Sequence, residues 1–224
     1  MGQYGLEVHV AFNDWHKEVS MRVSLTFDDG PNTVTSPRLL DVLEKYNTRA
    51  SFFLIGNNIH DDCLPVMERQ LKDGCSIECH SWSHPAFPDL TAEQMLKEID
   101  DTNSLIEKNL GWKTKFFRPP YIALNQLMYD TIKMPFICGR GVEDWNMDIP
   151  AEVKAKGVID NVKDGQIILL HDMTGNQTTV DAVDIIIPTL LERGVEFYNV
   201  RELFDVCNVN PFKANTIWTD VLED

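Results

Sequence analysis

From Met21 onward, short apolar runs alternate with amphipathic stretches, and no other feature of the chain restricts its fold as much. Strand-sized apolar runs separated by helix-sized amphipathic ones are the pattern of strand-helix units, which bury a mostly parallel sheet beneath helices. Strands are expected near residues 23–27, 50–54, 76–79, 115–117, 136–138, 166–170 and 196–199. Helices are expected at 37–46, opened by Pro37, at 63–73, and from Thr91 to Lys108, where Thr91 and Gln94 have capping-box spacing. Further helices are expected near 124–133, 151–162 and 180–193, with Pro188 kinking the last. Met95, Ile99, Leu105 and Ile106 fall near one stripe and read as core. Together these elements predict an α/β fold, a distorted (β/α) barrel of about seven parallel strands in a single domain. The strand-helix domain is placed at 21–207, after an N-terminal extension over 1–20 with a possible edge strand at 6–12 and before a C-terminal tail over 208–224.

The apolar runs do not simply end in turns. Several stop at residues with chemistry to offer. The first run ends in Thr26-Phe27-Asp28-Asp29-Gly30-Pro31, two adjacent carboxylates on a tight turn. Neighbouring carboxylates can divide labour, one binding a cation while the other takes a proton. About fifty residues on, His80-Ser81-Trp82-Ser83-His84 spaces two imidazoles at i and i+4, which on a helical turn would share a face and grip one cation. The zinc-protease pattern carries a Glu beside its first His, and Ser81 stands there instead, so any general base comes from elsewhere. Each motif alone has an ordinary explanation as a solvated turn or a surface His pair. Two further segments raise the odds of a site: Phe116-Phe117-Arg118-Pro119-Pro120-Tyr121 and Ile167-Ile168-Leu169-Leu170-His171-Asp172. In a β/α barrel the C-terminal strand ends share one rim, so residues scattered in sequence can converge there.

This ordered set resembles the five motifs of the polysaccharide deacetylase domain, carbohydrate esterase family 4. The matching stretches are Thr26 to Gly30, His80 to His84, Arg118 to Tyr121, Asp144-Trp145, and Leu169 to Asp172. The text around Lys115-Phe116-Phe117 and Ile185-Ile186-Ile187-Pro188 looks most like the acetylxylan esterase branch. The resemblance implies Asp29, His80 and His84 as ligands of one divalent metal ion, zinc or cobalt, with Asp28 as general base. It further implies that Arg118 pairs with Asp28, that the Tyr121 backbone N–H donates to the oxyanion, and that His171 protonates the leaving group. Trp145, Leu169, Pro120 and Asp144 are assigned to substrate binding on the same ground.

Two positions depart from the family pattern. Gly141 stands where many members carry an Asp that tunes the acid His, and Ile122 stands where a Gly usually follows the Arg-Pro-Pro-Tyr run. The first departure suggests a less finely tuned His171, and hence a preference for O-acetyl esters over N-acetyl amides. The expected activity is hydrolysis of acetyl groups from a polysaccharide or oligosaccharide, foremost xylan. The alternatives are an N-deacetylase of chitin or peptidoglycan N-acetylglucosamine, and a non-catalytic glycan-binding protein on the same scaffold.

Composition bears on partners and compartment. A net charge of -15 argues against nucleic acid and anionic membrane surfaces. The longest aliphatic runs are too short to cross a bilayer, and the first twenty residues lack the features of a signal peptide, so a soluble chain without membrane insertion is expected. Action outside the cytoplasm is implied by the resemblance alone. The five cysteines, Cys63, Cys75, Cys79, Cys138 and Cys207, have no zinc-ribbon or redox spacing and are expected to be reduced and mostly buried. His9, His16 and His60 match no motif and read as surface or packing histidines.

Overall fold

The computed structural model describes residues 21–222. The expected edge strand at 6–12 and His9 and His16 lie outside the described residues. In chain order the elements are β1 (Arg22–Asp28), α1 (Thr35–Lys45), β2 (Ser51–Leu54), α2 (Leu64–Lys72), β3 (Ser76–Cys79), α3 (Ala92–Leu110), α4 (Gln126–Thr131), β4 (Phe136–Ile137), α5 (Ala151–Ile159), β5 (Gln166–His171), α6 (Gln177–Glu192), β6 (Glu196–Phe197), α7 (Val200–Val206) and β7 (Ile217–Trp218).

The alternation predicted from sequence is present, and every named strand pair is parallel. The strands of the expected distorted barrel fall into two sheets. One runs β3-β2-β1-β5 with β6 also paired to β1, and β4 pairs β7 separately. Single bridges between Cys79 and Phe117, Phe117 and Phe136, and Arg140 and Ile168 connect them. The strand expected at 115–117 is reduced to Phe117, which makes two of these bridges, because the Lys115 and Phe116 amides donate to the buried Glu78 carboxylate instead of to a neighbouring strand. The segment 208–224 contributes β7, whose apolar Ile217 and Trp218 complete the pairing of β4.

Side chains that alternate along the strands go to opposite faces, and both faces are buried, as in parallel sheets covered by helices. Phe52 and Ile168 join Leu25, Phe27, Leu39, Leu43 and Ile186 in the core between sheet and helices. Their neighbours Phe53 and Ile167 pack on the other side with Phe116, Phe204 and Trp218. Met95, Ile99 and Ile106 of α3 are buried and Leu105 is half-buried. The Thr91 and Gln94 capping box forms, and Pro188 lies within α6. All five cysteines are free thiols; burial pushes Cys75 and Cys79 up to about 12, so neither is a reactive thiolate near neutral pH. His60 is exposed.

What positions the site is the register of the central strands. Asp28, the last residue of β1, is paired with His171, the last residue of β5. The Asp172 amide donates to the Asp28 carbonyl at 3.0 Å, so the two strands leave the sheet together. Cys79 ends β3 at the same rim, and the Arg118 amide donates to its carbonyl at 3.0 Å. No described helix is long and apolar enough to cross a membrane.

Candidate active site

A pocket of about 440 Å³ opens at this rim, lined by residues from every motif loop, among them Asp28, Asp29, His80, His84, Tyr121 and His171. Its polar end is built from the first two motifs. The Oδ1 of Asp29 stands 3.6 Å from Nε2 of His80 and 3.6 Å from Nε2 of His84. That oxygen is buried and has no hydrogen-bond partner. One carboxylate oxygen and two imidazole nitrogens, all within 4.8 Å of one another, make a donor set that suits a divalent ion of the zinc type. The orphaned oxygen facing two imidazole nitrogens fits such an ion, since most buried polar atoms have a partner.

The histidine pair is not helical. His80 follows β3 directly, and the loop after it turns back through left-handed backbone at Ser81 (φ 71°) and His84 (φ 58°). The i,i+4 spacing therefore works by another route than the one expected, and the rings meet edge to face with centroids 4.9 Å apart. Ser81, where a zinc protease has its Glu, accepts the His84 amide on its hydroxyl at 3.1 Å. Glu98 of α3 accepts the Trp82 and Ser83 amides at 2.9 and 2.8 Å and clamps the loop from outside. His80 Nδ1–H donates to the Arg118 carbonyl at 2.7 Å, which leaves Nε2 free to face Asp29. Burial lowers His80 to about 3, so its ring is neutral and ready to ligate at ordinary pH.

Asp28 is buried, and Arg118 Nη1 donates to its Oδ1 at 2.5 Å. Its Oδ2 is turned toward His80, 3.7 Å from Nε2. Burial raises the Asp28 carboxyl above the usual range, while Arg118 and His171 pull it down. A carboxylate made more basic by burial, yet held by a fixed guanidinium, is suited to taking a proton. Arg118 is itself fully buried over the Phe53 ring and also donates to Thr26 at 2.8 Å, so it acts on Asp28 and does not line the pocket.

At the other end, His171 Nδ1–H donates to Asp144 Oδ1 at 2.8 Å, and the His171 amide donates to Asp144 Oδ2 at 2.7 Å. Burial lowers the imidazole pKa, but the Asp144 hydrogen bond and the charges of Asp144, Asp28 and Asp29 outweigh it and raise His171 to about 9. Two expectations are corrected here. Asp144 borders the pocket as expected, but it is fully buried with both carboxylate oxygens engaged, so it acts through His171. The Gly141 departure does not leave His171 untuned, because the carboxylate three residues on reaches it directly.

Of the remaining expected residues, Leu169, Trp145 and Tyr121 line the pocket, Trp145 and Tyr121 being largely exposed and the Tyr121 ring 4.6 Å from that of His84. Pro120 does not line it: the 3-10 turn Pro120–Ile122 tucks this ring inward, and Pro119 forms the wall.

Sequence reasoning missed the supports. Lys154 of α5, only 1% exposed, donates through Nζ to the Asp144 carbonyl at 2.7 Å and to Thr178 at 2.6 Å. Asn176 donates to the same carbonyl and to that of His171, and Thr179 donates to Asp144 Oδ2 at 2.9 Å. A lysine in an amphipathic stretch reads as surface, so no local signal marks Lys154. Asp172 lies behind the first motif, where Ser36 donates to its Oδ2 at 2.5 Å; burial raises this carboxyl to about 7. A Cβ on Gly30 would come 2.6 Å from Asp172 Oδ1, which explains the glycine of the Asp-Asp-Gly turn. Asn58 donates to the Asp29 carbonyl at 2.9 Å and holds the Asp29 backbone in its left-handed form (φ 73°).

Comparison with known proteins agrees with this geometry. The sequence profile of the polysaccharide deacetylase family matches residues 17–134. The chain belongs to that family. It is 45% identical over 199 residues to a bifunctional xylanase/deacetylase of Pseudobutyrivibrio xylanivorans, a match that covers 89% of this chain and 33% of that protein. It is 37% identical over 186 residues to a peptidoglycan-N-acetylmuramic acid deacetylase of Bacillus subtilis, covering 82% of this chain and 39% of the relative. Among solved structures, a family 4 acetyl xylan esterase from Clostridium thermocellum in complex with a cobalt ion superimposes with a TM-score of 0.87 at 39% identity, covering 89% of this chain and 98% of that one. The chain thus spans about a third to two fifths of the length of these two sequence relatives, and nearly all of the compared esterase structure.

Proposed function

We propose that this chain hydrolyses acetyl groups from polysaccharide, with O-acetyl esters of xylan or xylo-oligosaccharides as its substrate. The observation that carries the reaction class is the pairing of Asp28 with His171 in adjacent strands, which sets a base and an acid side by side at one pocket. The choice of xylan is supported by the kinship to a xylanase/deacetylase and by the likeness to an acetyl xylan esterase.

In this reading Asp29, His80 and His84 hold one divalent ion, zinc or cobalt, which when bound supplies Lewis acidity toward water and the acetyl carbonyl. Asp28, fixed by Arg118, takes a proton from the attacking water as its oxygen bonds to the carbonyl carbon. The Tyr121 amide donates to the oxygen that becomes negative; the neighbouring Ile122 and Ala123 amides are taken by the Pro119 and Pro120 carbonyls. His171, protonated at neutral pH because of Asp144, gives its proton to the sugar oxygen as the C–O bond breaks, and acetate leaves. Trp145 and Leu169 wall the pocket around the acetyl methyl.

A second reading, N-deacetylation of an N-acetylglucosamine polymer, is favoured by the same His171–Asp144 pair. An amine leaving group must be protonated before departure, and a His raised to about 9 can do so. The two readings are separated by acetate release from acetylated xylan and from N-acetylglucosamine oligomers, measured before and after chelation and after adding zinc or cobalt. Metal-dependent release from xylan alone supports the ester reading; release from the amide alone overturns it, and none from either favours a glycan-binding role.

A further inference from the structure

Among the described residues, non-glycine positions with left-handed backbone fall into two groups. Asn47, Asn208 and Asn215 lie in turns away from the pocket, and asparagine is a residue that adopts this conformation readily. The others, Asp29, Ser81, His84, Tyr121, Ile122 and Glu143, belong to the loops that build the site. Strain of this kind persists where surrounding structure enforces it and points to function at that position.

For most of the second group the reason is already visible. Asp29 and His84 aim their side chains at the cation position, Ser81 accepts the His84 amide, and Tyr121 presents its own amide. Ile122 has no such reason. A β-branched residue at φ 52° is a steric outlier, and its only backbone service is a turn bond to the Pro119 carbonyl at 3.1 Å, which glycine would make without strain. What the position gains from isoleucine is therefore the side chain, and that side chain is half-buried in the pocket wall with Tyr121, Trp145 and Leu169.

We propose that the Ile122 side chain is a specificity-determining wall of the pocket, selecting pentopyranose over hexosamine units. The inference rests on the polysaccharide reading above and deepens it. An apolar, branched side chain packs against the C–H face of a pyranose ring but offers no partner to a hydroxymethyl or acetamide group. A xylose unit, which carries neither, loses nothing there, whereas a hexosamine must desolvate a polar group without compensation.

The test is kcat/KM of Ile122→Gly, Ile122→Asn and Ile122→Val on O-acetylated xylo-oligosaccharides and on N-acetylglucosamine oligomers, with Tm recorded for each. Gly and Asn accept the left-handed backbone, so their Tm should equal or exceed that of the wild type, which separates wall from fold. Both should lower the xylo-to-hexosamine ratio by roughly tenfold or more, mostly through a lower KM on the N-acetylglucosamine oligomer, and Val should stay within about threefold of the wild type. Ratios for Gly and Asn within about twofold of the wild type would overturn the proposal. A wild type that prefers the hexosamine oligomer would defeat the xylan reading while leaving the shift in ratio to decide on Ile122. A wild type inactive on both would overturn the two together.

Discussion

The two ends of the pocket are built on opposite principles. At the Asp29 end a buried oxygen is left without a partner between two imidazole nitrogens, on loops that hold left-handed backbone, which costs about 1–2 kcal/mol per residue. At the His171 end all three oxygens of Asp144 are engaged, by the His171 ring and amide, Lys154, Asn176 and Thr179. An unsatisfied, strained cluster is a place that waits for something from outside. A saturated one is a tuned group that needs nothing more.

The contrast is tested most severely by removing one histidine from each end. His84→Ala should abolish binding of zinc or cobalt and reduce acetate release by about 10³-fold or more, whereas His171→Ala should keep the ion and lose about 10²–10⁴-fold in kcat. Metal content by elemental analysis beside kcat decides the matter: loss of the ion in His171→Ala, or its retention in His84→Ala, breaks the comparison.

A smaller effect is expected from Asp144→Asn. The amide oxygen can still accept from His171 but lacks the charge that holds the imidazolium, so His171 should fall from about 9 toward its ordinary value. Activity should then be lost first on the alkaline side, with a deficit roughly tenfold greater at pH 8 than at pH 6. A pH–rate profile with an unmoved alkaline limb would show that Asp144 only shapes the loop.

Smaller still are the consequences for stability, and here the two ends should differ in sign. His80 is lowered to about 3 in the folded chain against 6.5 unfolded, so the unfolded state binds more protons between these values and stability is lost as pH falls through that window. His171 is raised to about 9, so its contribution is full below 6.5 and is lost as pH rises through 9. In the chelated protein, Tm should therefore drop on both sides of neutrality. His171→Gln should flatten the alkaline drop alone, by removing a linkage on the order of 3 kcal/mol of stability. Added zinc should raise Tm near neutral pH, through about 2.7 kcal/mol of added stability at a hundredfold excess over Kd. An alkaline drop that survives in His171→Gln would place its origin elsewhere.

Much of this is legible in the order of residues. The strands Ser76–Cys79 and Gln166–His171 match their expected ranges to within a residue, because an apolar run between turn residues is a local signal. The short strand Ile217–Trp218 and the helix Val200–Val206 carry no such signal, since neither is long enough to show a period. Among site residues, the motif carboxylates and histidines stand out by their spacing, whereas Asp144 reads as a substrate contact and Lys154, Asn176, Asn58 and Glu98 read as nothing in particular. Their roles depend on partners 10 to 32 residues away that no spacing rule connects.

The sequence by itself determined the strand-helix alternation, the family and the residues that carry charge to the rim, because periodicity and motif are properties of neighbouring residues. Only the tertiary structure decided that the ring is two sheets joined by single bridges, that the histidine pair meets on a strained loop and not on a helix, and that Asp144 belongs to His171. These depend on which hydrogen-bond donors and acceptors arrive together when distant strands leave the sheet at one edge, and that is settled by packing and not by sequence order.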